Sequence, residues 1–328
     1  MRNITCLALV ALAAACGSSA TPSPDAAGPG PDTKPVQPCE HAAALCAKLE
    51  TCAPFLLAAG YGDVAGCADR LLKVCTAQSQ SDGSGMTQAN ILACETALAT
   101  ATCNDVFANN VPGCAFHGTY ADGATCGDSS QCASGFCSHG GNLCGVCAAK
   151  GAAGAACPSG SNDECQTGLV CSSGSVCMPP AGVGATCDDT TAPCLIGSFC
   201  TSAKTCGLTV PVGQECPGFY INLGDGTLCL GKSTAASPQL AAKFGTAGKG
   251  EICGLAPGNG LPATLCAPGS VAACTQTADG ILLFNIPTKG LCAALRDDGY
   301  TCAASSACQA GAQCIAGTCQ IPSGRYCM

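Results

Sequence analysis

Tryptophan is absent from this chain of 328 residues, and the other large aromatics are few, with eight Phe and five Tyr. That shortage argues against a carbohydrate-binding face or a dense hot-spot interface, both of which lean on Trp and Tyr. Charge is scarce as well: Asp, Glu, Lys and Arg make up 10% of residues, and thirteen basic side chains leave a net charge of -8. Nucleic acid is therefore excluded as a partner, since binding it requires a basic footprint. Histidine is limited to His41, His117 and His139, and no G-x-S-x-G occurs, so a hydrolase triad has little to be built from. The apolar fraction reaches 48%, yet it is mostly Ala and Cys, which leaves little large hydrophobic surface to bury. No segment is long and apolar enough to cross a bilayer.

What the chain has instead is cysteine, 34 in all. Two of them, Cys6 and Cys16, fall in an opening stretch laid out as an export signal. Arg2 is the positive n-region, residues 4–15 are apolar, and Ala13, Ala14 and Ala15 precede Cys16. Twelve apolar residues suit a signal h-region and are too few to span a membrane. The run from Leu12 through Cys16 to Ser19 resembles the bacterial lipobox, with its leucine four places before the cysteine where the family prefers three. The resemblance implies a signal peptide over 1–15 and acylation of Cys16, which would anchor the chain in a lipid bilayer. Gly17, with no Asp beside the lipidated cysteine, resembles outer-membrane sorting, so the expected location is the bacterial cell surface. Secretion after cleavage near Ala15 is the alternative. Loss of the leader takes Arg2 with it, moving the charge from -8 to -9. It leaves Cys39 to Cys327, an even thirty-two, and that parity and density predict an oxidised chain.

After Cys16, residues 17–38 hold six prolines and nothing larger than Val, Lys or Gln. Such a stretch cannot build a core, so 16–38 is expected to be a lipidated cysteine and a stalk, reaching roughly 70 Å at most when extended. Residues 39–114 change character, because apolar residues recur at helical spacing. They do so at Ala42, Leu45, Cys46 and Leu49, then at Val64, Cys67, Ala68, Leu71 and Cys75, then at Ile91, Cys94 and Leu98. Three amphipathic helices are predicted, with Asp63 and Thr87 as N-caps and residues 79–85 as a loop. Cys39, Cys46, Cys52, Cys67, Cys75, Cys94, Cys103 and Cys114 suffice for four bridges inside this helical cysteine-rich domain.

From residue 123 a repeat takes over. Gly-x-x-Cys recurs at Gly123–Cys126, Gly154–Cys157, Gly184–Cys187, Gly213–Cys216, Gly250–Cys253 and Gly299–Cys302. A second pattern, Cys-x-x-Gly followed shortly by Cys, joins Cys132 to Cys137, Cys165 to Cys171, Cys194 to Cys200 and Cys308 to Cys314. A fourth cysteine is expected at Cys144, Cys177, Cys206 and Cys319, while Cys147 makes a C-x-x-C step with Cys144. Glycine at fixed offsets predicts a turn with positive φ in every unit. Units of about thirty residues cannot stand on hydrophobic burial alone, whereas closing a loop of about eight residues removes on the order of 2.5 kcal/mol of unfolded-state entropy. Short strands and irregular loops, stacked head to tail as a string, are expected over 123–216.

In 217–292 the intervals lengthen around Cys229, Cys253, Cys266, Cys274 and Cys292. Residues 219–223 and 227–230 read as a hairpin and 281–286 as a further strand, so this is a degenerate repeat with insertions. A terminal repeat with Cys302, Cys308, Cys314, Cys319 and Cys327 fills 299–328. The expected fold class is small and disulfide-rich: an N-terminal all-α disulfide-linked helical domain followed by an array of short-strand cysteine repeats. Spacing leaves the pairing of the cysteines open.

The cysteine rhythm of 126–206, and less closely of 302–319, resembles the Dickkopf N-terminal cysteine-rich domain and EB-type modules. The resemblance implies an extracellular module used for protein contacts. It transfers no residue role.

Few motifs carry chemistry. Gly226 to Ser233, including Gly231 and Lys232, satisfies the G-x-x-x-x-G-K-[ST] phosphate loop, but Pro238 interrupts the helix such a loop needs and the hairpin explains the same glycines. Cys144 and Cys147 with His139 nearby suggest a metal, although in an oxidising compartment that pair is expected to be bridged. Asp188-Asp189 and Asp297-Asp298 lack the alternating spacing of a calcium loop. No enzyme, cofactor or metal is expected. The chain reads as a non-enzymatic cell-surface lipoprotein, an extracellular spacer and protein-binding module whose partners are the bilayer and surface proteins. The alternatives are a protease-inhibitor-like cysteine scaffold, or a secreted hydrolase or NTPase centred on 217–290.

Overall fold

The computed structural model describes Cys39, residues 41–107, Cys327, and residues 110–322 apart from short loops and the longer stretches 233–238, 255–263, 267–271, 276–289 and 303–307. The leader, Cys16, the stalk and the strand expected at 281–286 lie outside the described residues. Among the described residues no helix is long and apolar enough to cross a membrane.

Five helices form between residues 41 and 107: α1 (His41–Cys52), α2 (Pro54–Tyr61), α3 (Val64–Ser79), α4 (Gln88–Thr100) and α5 (Cys103–Phe107). The predicted stripes are buried, Leu45, Cys46 and Leu49 on α1, Cys67, Leu71 and Cys75 on α3, and Ile91, Cys94 and Leu98 on α4. Both predicted caps are made, since Asp63 accepts from the Gly66 N–H at 2.7 Å and Thr87 from the Asn90 N–H at 3.3 Å. Three helices are predicted, so α5 and α2 are both additions, and α2 is the longer of the two. It starts on Pro54, whose missing donor costs nothing in a first turn, and it buries Leu56 and Leu57. Bridges Cys39–Cys75, Cys46–Cys67, Cys52–Cys103 and Cys94–Cys114 all close within this segment.

Beyond the helices one small frame recurs six times. Gly123, Gly154, Gly184, Gly213, Gly250 and Gly299 have φ between 83° and 90°. A Cβ at any of these would meet nothing within 4 Å, so backbone handedness and not space demands glycine. Each glycine donates its N–H to the carbonyl of Cys147, Cys177, Cys206, Ala241, Cys292 or Cys319 in turn. Those six residues donate back to the residue following each glycine, Ala124, Ala155, Ala185, Gln214, Glu251 and Tyr300. The two bonds define units 1 to 6 as 123–147, 154–177, 184–206, 213–241, 250–292 and 299–319.

Four of these units share one pairing, first cysteine to third and second to fourth. It joins Cys126–Cys137 and Cys132–Cys147, Cys157–Cys171 and Cys165–Cys177, Cys187–Cys200 and Cys194–Cys206, and Cys302–Cys314 and Cys308–Cys319. The third and fourth face each other across a short antiparallel pair, as Cys171 does Cys177 and Cys200 does Cys206. Cystine makes up the apolar cluster: Cys126, Cys132, Cys137 and Cys147 are themselves the buried hydrophobic cluster of unit 1. Closing the 11 to 15 residues between partners is worth about 3 kcal/mol per bridge in the chain-entropy account.

Unit 1 corrects one expectation. Its fourth cysteine is Cys147, which faces Cys137 across the hairpin and closes the turn, and not Cys144. The two members of the C-x-x-C step are bridged to different partners, Cys147 to Cys132 and Cys144 to Cys327.

The region 217–292 holds parts of two units. In unit 5 Cys266 is bridged to Cys292, Cys253 is also disulfide-bonded, and Cys274 pairs with Cys292 in the strand register. Unit 4 has Cys216–Cys229 but carries buried Ala241 where the others have their fourth cysteine, so its second bridge is missing. The predicted hairpin is present as Pro217–Ile221 paired with Thr227–Lys232. Beside it Phe244 stacks on Phe55 of α2, ring centroids 5.7 Å apart.

The array is not a free string. Cys144–Cys327 ties unit 1 to the far end of the chain across 183 residues. Arg70 on α3 pairs with Asp298 in the turn of unit 6 at 2.6 Å. With the Phe55–Phe244 stack and a polar junction to unit 1, the helical segment touches the array at its beginning, middle and end.

Candidate functional site

That junction is built from the loop after α3 and the start of unit 1. Gly85 donates to the Ser130 carbonyl at 2.7 Å and Thr119 to that of Gly83 at 2.9 Å. Gln131, fully buried, accepts from the Gly127 N–H at 2.8 Å and donates to the Asp82 carbonyl at 2.8 Å. Asp128 accepts from the Ser130 N–H at 2.7 Å and from the Gln78 side chain, so it caps a short helical turn while gripping α3. Burial pushes its carboxyl above the usual range, against the pull of its hydrogen bonds from Ser130 and Gln78 and of His139. The arrangement holds two parts of the chain together and leaves Asp128 enclosed. Sequence spacing could not find it, because Gln78 and Asp128 are 50 residues apart.

The residues singled out for chemistry are engaged elsewhere. His41 sets its ring edge-on to Phe116 at 5.6 Å. His117 and His139 place Nδ1 3.0 Å and 3.1 Å from the carbonyls of Ala133 and Leu143. The phosphate-loop pattern is a strand: residues 227–232 pair antiparallel with 217–221, so it is drawn out as β-sheet and does not curl around an anion. Asp298 meets Arg70, and Asp188 accepts from the Thr190 N–H at 2.8 Å in a local turn. Sulfur trios such as Cys126, Cys132 and Cys137 lie within 4.8 Å of one another, spacing that suits a thiophilic metal. Each belongs to two neighbouring bridges, and a thiolate ligand there would first require reduction.

The helical segment has a cavity of about 40 Å³ lined by His41, Leu45, Leu71, Met86, Leu98 and Phe116. That is room for a few water molecules at roughly 10–15 Å³ each, far below a small-molecule site.

The outward faces of the units are more telling. The residue before the turn glycine stands at the tip of the frame, and Val183 and Val212 hold these tips in units 3 and 4 with 59% and 52% of their surface exposed. Leu208, two residues beyond the close of unit 3, and Leu240 in unit 4 are 65% and 55% exposed. These are costly groups to leave in water, held on short frames pinned by cross-links.

No protein-family model matches this sequence, and no curated protein or solved structure matches it either.

Proposed function

We propose that this chain is a non-enzymatic cell-surface lipoprotein whose cysteine-rich units serve as an extracellular protein-binding module. In this reading Cys16 carries the acyl anchor, residues 17–38 are the spacer, and residues 39–114 are an all-α disulfide-linked domain. The array occupies 123–216, 217–292 and 299–328. The carrying observation is the apolar display on units 3 and 4, with Val183 and Val212 at equivalent tips of frames fixed by hydrogen bonds and bridges. The frame of unit 3, closed by two hydrogen bonds and two bridges, loses little conformational freedom on binding, which favours a protein partner even without Trp. The resemblance to Dickkopf N-terminal and EB-type modules points the same way. Because Cys144–Cys327 ties the array's ends, its contour length does not become reach, and the spacer role falls to the stalk.

Binding of the purified chain to intact cells and to extracellular matrix proteins, compared with Val183→Asp and Val212→Asp, tests the reading. Binding should weaken at least about tenfold in the paired variant, about 1.4 kcal/mol. Unchanged binding, or a turnover abolished by Lys232→Ala or His139→Ala, would reject it. Incorporation of labelled fatty acid that is lost in Cys16→Ser tests the anchor.

A further inference from the structure

We propose that Cys144–Cys327 is a thiol–disulfide exchange site, a latch that a dithiol reductant opens while the paired bridges of units 1, 2, 3 and 6 stay closed. The inference does not depend on lipidation or on a binding partner.

Every other described bridge joins cysteines at most 51 residues apart, whereas this one spans 183. Distance along the chain matters less than what remains when a bridge opens. Inside a unit two bridges interlock, and three of the four sulfurs lie within 4.8 Å in units 1, 2, 3 and 6. If one bridge is cut, the other keeps the new thiols side by side. Their effective concentration is then high, and the bridge re-forms faster than a second thiol arrives. Cys144 stands outside this pattern. Unit 1 already has both of its bridges without it, and unit 6 has both of its own without Cys327. Once the latch opens, the residues after Cys319 are no longer tied to unit 1 by a covalent bond.

Cys144 is half-buried and Cys327 only 7% exposed, so the incoming thiolate attacks the sulfur of Cys144. A mixed disulfide forms to Cys144, the bond to Cys327 breaks, and Cys327 leaves as a thiolate that takes a proton. The Leu143 carbonyl, 3.8 Å from that sulfur, is placed to accept from the new thiol. The second thiolate of the reductant then attacks its own sulfur in the mixed disulfide and expels Cys144, which is protonated in turn. Two electrons pass from the dithiol to the bridge, leaving one oxidised reductant and two protein thiols.

Exposure alone predicts something else. Cys52 and Cys103 are both half-buried, as are Cys302 and Cys314, so a purely accessible-surface rule would have those bridges open first.

The test is graded reduction of the folded full chain with dithiothreitol, followed by alkylation and peptide mapping. Cys144 and Cys327 should reach half-labelling at about tenfold less reductant than any cysteine in the paired bridges of units 1, 2, 3 and 6, a gap near 30 mV. Earlier labelling of Cys52 and Cys103, or simultaneous labelling of all bridges, would overturn the proposal. The paired Cys144→Ser and Cys327→Ser variant should fold with all unit bridges closed and show no low-reductant step. Failure of those bridges to form in that variant would make Cys144–Cys327 part of the scaffold and equally overturn it.

Discussion

Arg70 on α3 holds Asp298 of the last turn at 2.6 Å, joining residues 228 apart in sequence. The two ends of this pair differ in solvent, with 5% of the arginine side chain exposed and 34% of the aspartate. Removing the exposed partner takes a carboxylate away from a buried cation, whereas removing the buried one leaves a carboxylate that water can reach. Asp298→Asn should therefore cost about 2–3 kcal/mol in guanidinium unfolding with bridges intact, and Arg70→Met about 1 kcal/mol. Equal costs would mean the pair is solvated at both ends.

Tyr61 sits close to the same cation. It keeps part of its surface in solvent, yet burial of its phenol pushes the pKa up to about 12, with Arg70 pulling the other way. A raised folded pKa gives stability that is complete below the unfolded value near 10 and is lost as pH rises through the folded value. Between pH 10 and pH 12 the loss should be on the order of 3 kcal/mol, and Tyr61→Phe should remove it. Short denaturant titrations at each pH provide the measurement.

Asp128 follows the same sign at a lower pH. Burial raises its carboxyl, so its contribution is complete below the ordinary value of 3.8 and declines as pH rises through the folded value. Asp128→Asn keeps the capping oxygen, and Gln78 can turn its amide to match. The melting temperature of the variant relative to the parent should rise from pH 4 to pH 7. Taking that difference cancels Asp105 and Asp188, whose lowered pKa values act in the opposite sense.

Unit 4 should be the soft point of the array. It keeps Cys216–Cys229 and lacks a second bridge, and the Phe55–Phe244 stack is its tie to the helices. Phe244→Ala should cost about 3 kcal/mol and speed amide exchange at Gly213 and Ala241 well before Gly154 or Gly184. Uniform acceleration across the units would argue against local weakness.

How much of this was legible depended on whether the cause was local. The six turn glycines, the caps Asp63 and Thr87, the stripes of α1, α3 and α4 and the hairpin after Cys216 are decided within a few residues, and each was readable. Helix α2 was missed because Pro54-Phe-Leu-Leu-Ala-Ala-Gly-Tyr61 is apolar nearly all round, so no face stands out. Unit 4 was obscured because Ala241 occupies a cysteine's place, which a search for cysteine spacing passes over. Interval counting selects Cys144 as the closing cysteine of unit 1, because it cannot see that Cys147 faces Cys137. The latch, the Arg70–Asp298 pair and the Gln78–Asp128 contact bring together residues at least 50 apart, and no one-dimensional pattern records that.

Covalent sulfur stands in for an apolar interior in the cysteine-rich units, and amide exchange before and after full reduction and alkylation at neutral pH tests this most directly. The N–H groups of Gly123, Gly154, Gly184 and Gly299, each bonded to the carbonyl of its unit's last cysteine, should be protected in the oxidised chain and exchange as in an unfolded peptide once reduced. Retained protection at these four amides in the reduced, alkylated protein would contradict it.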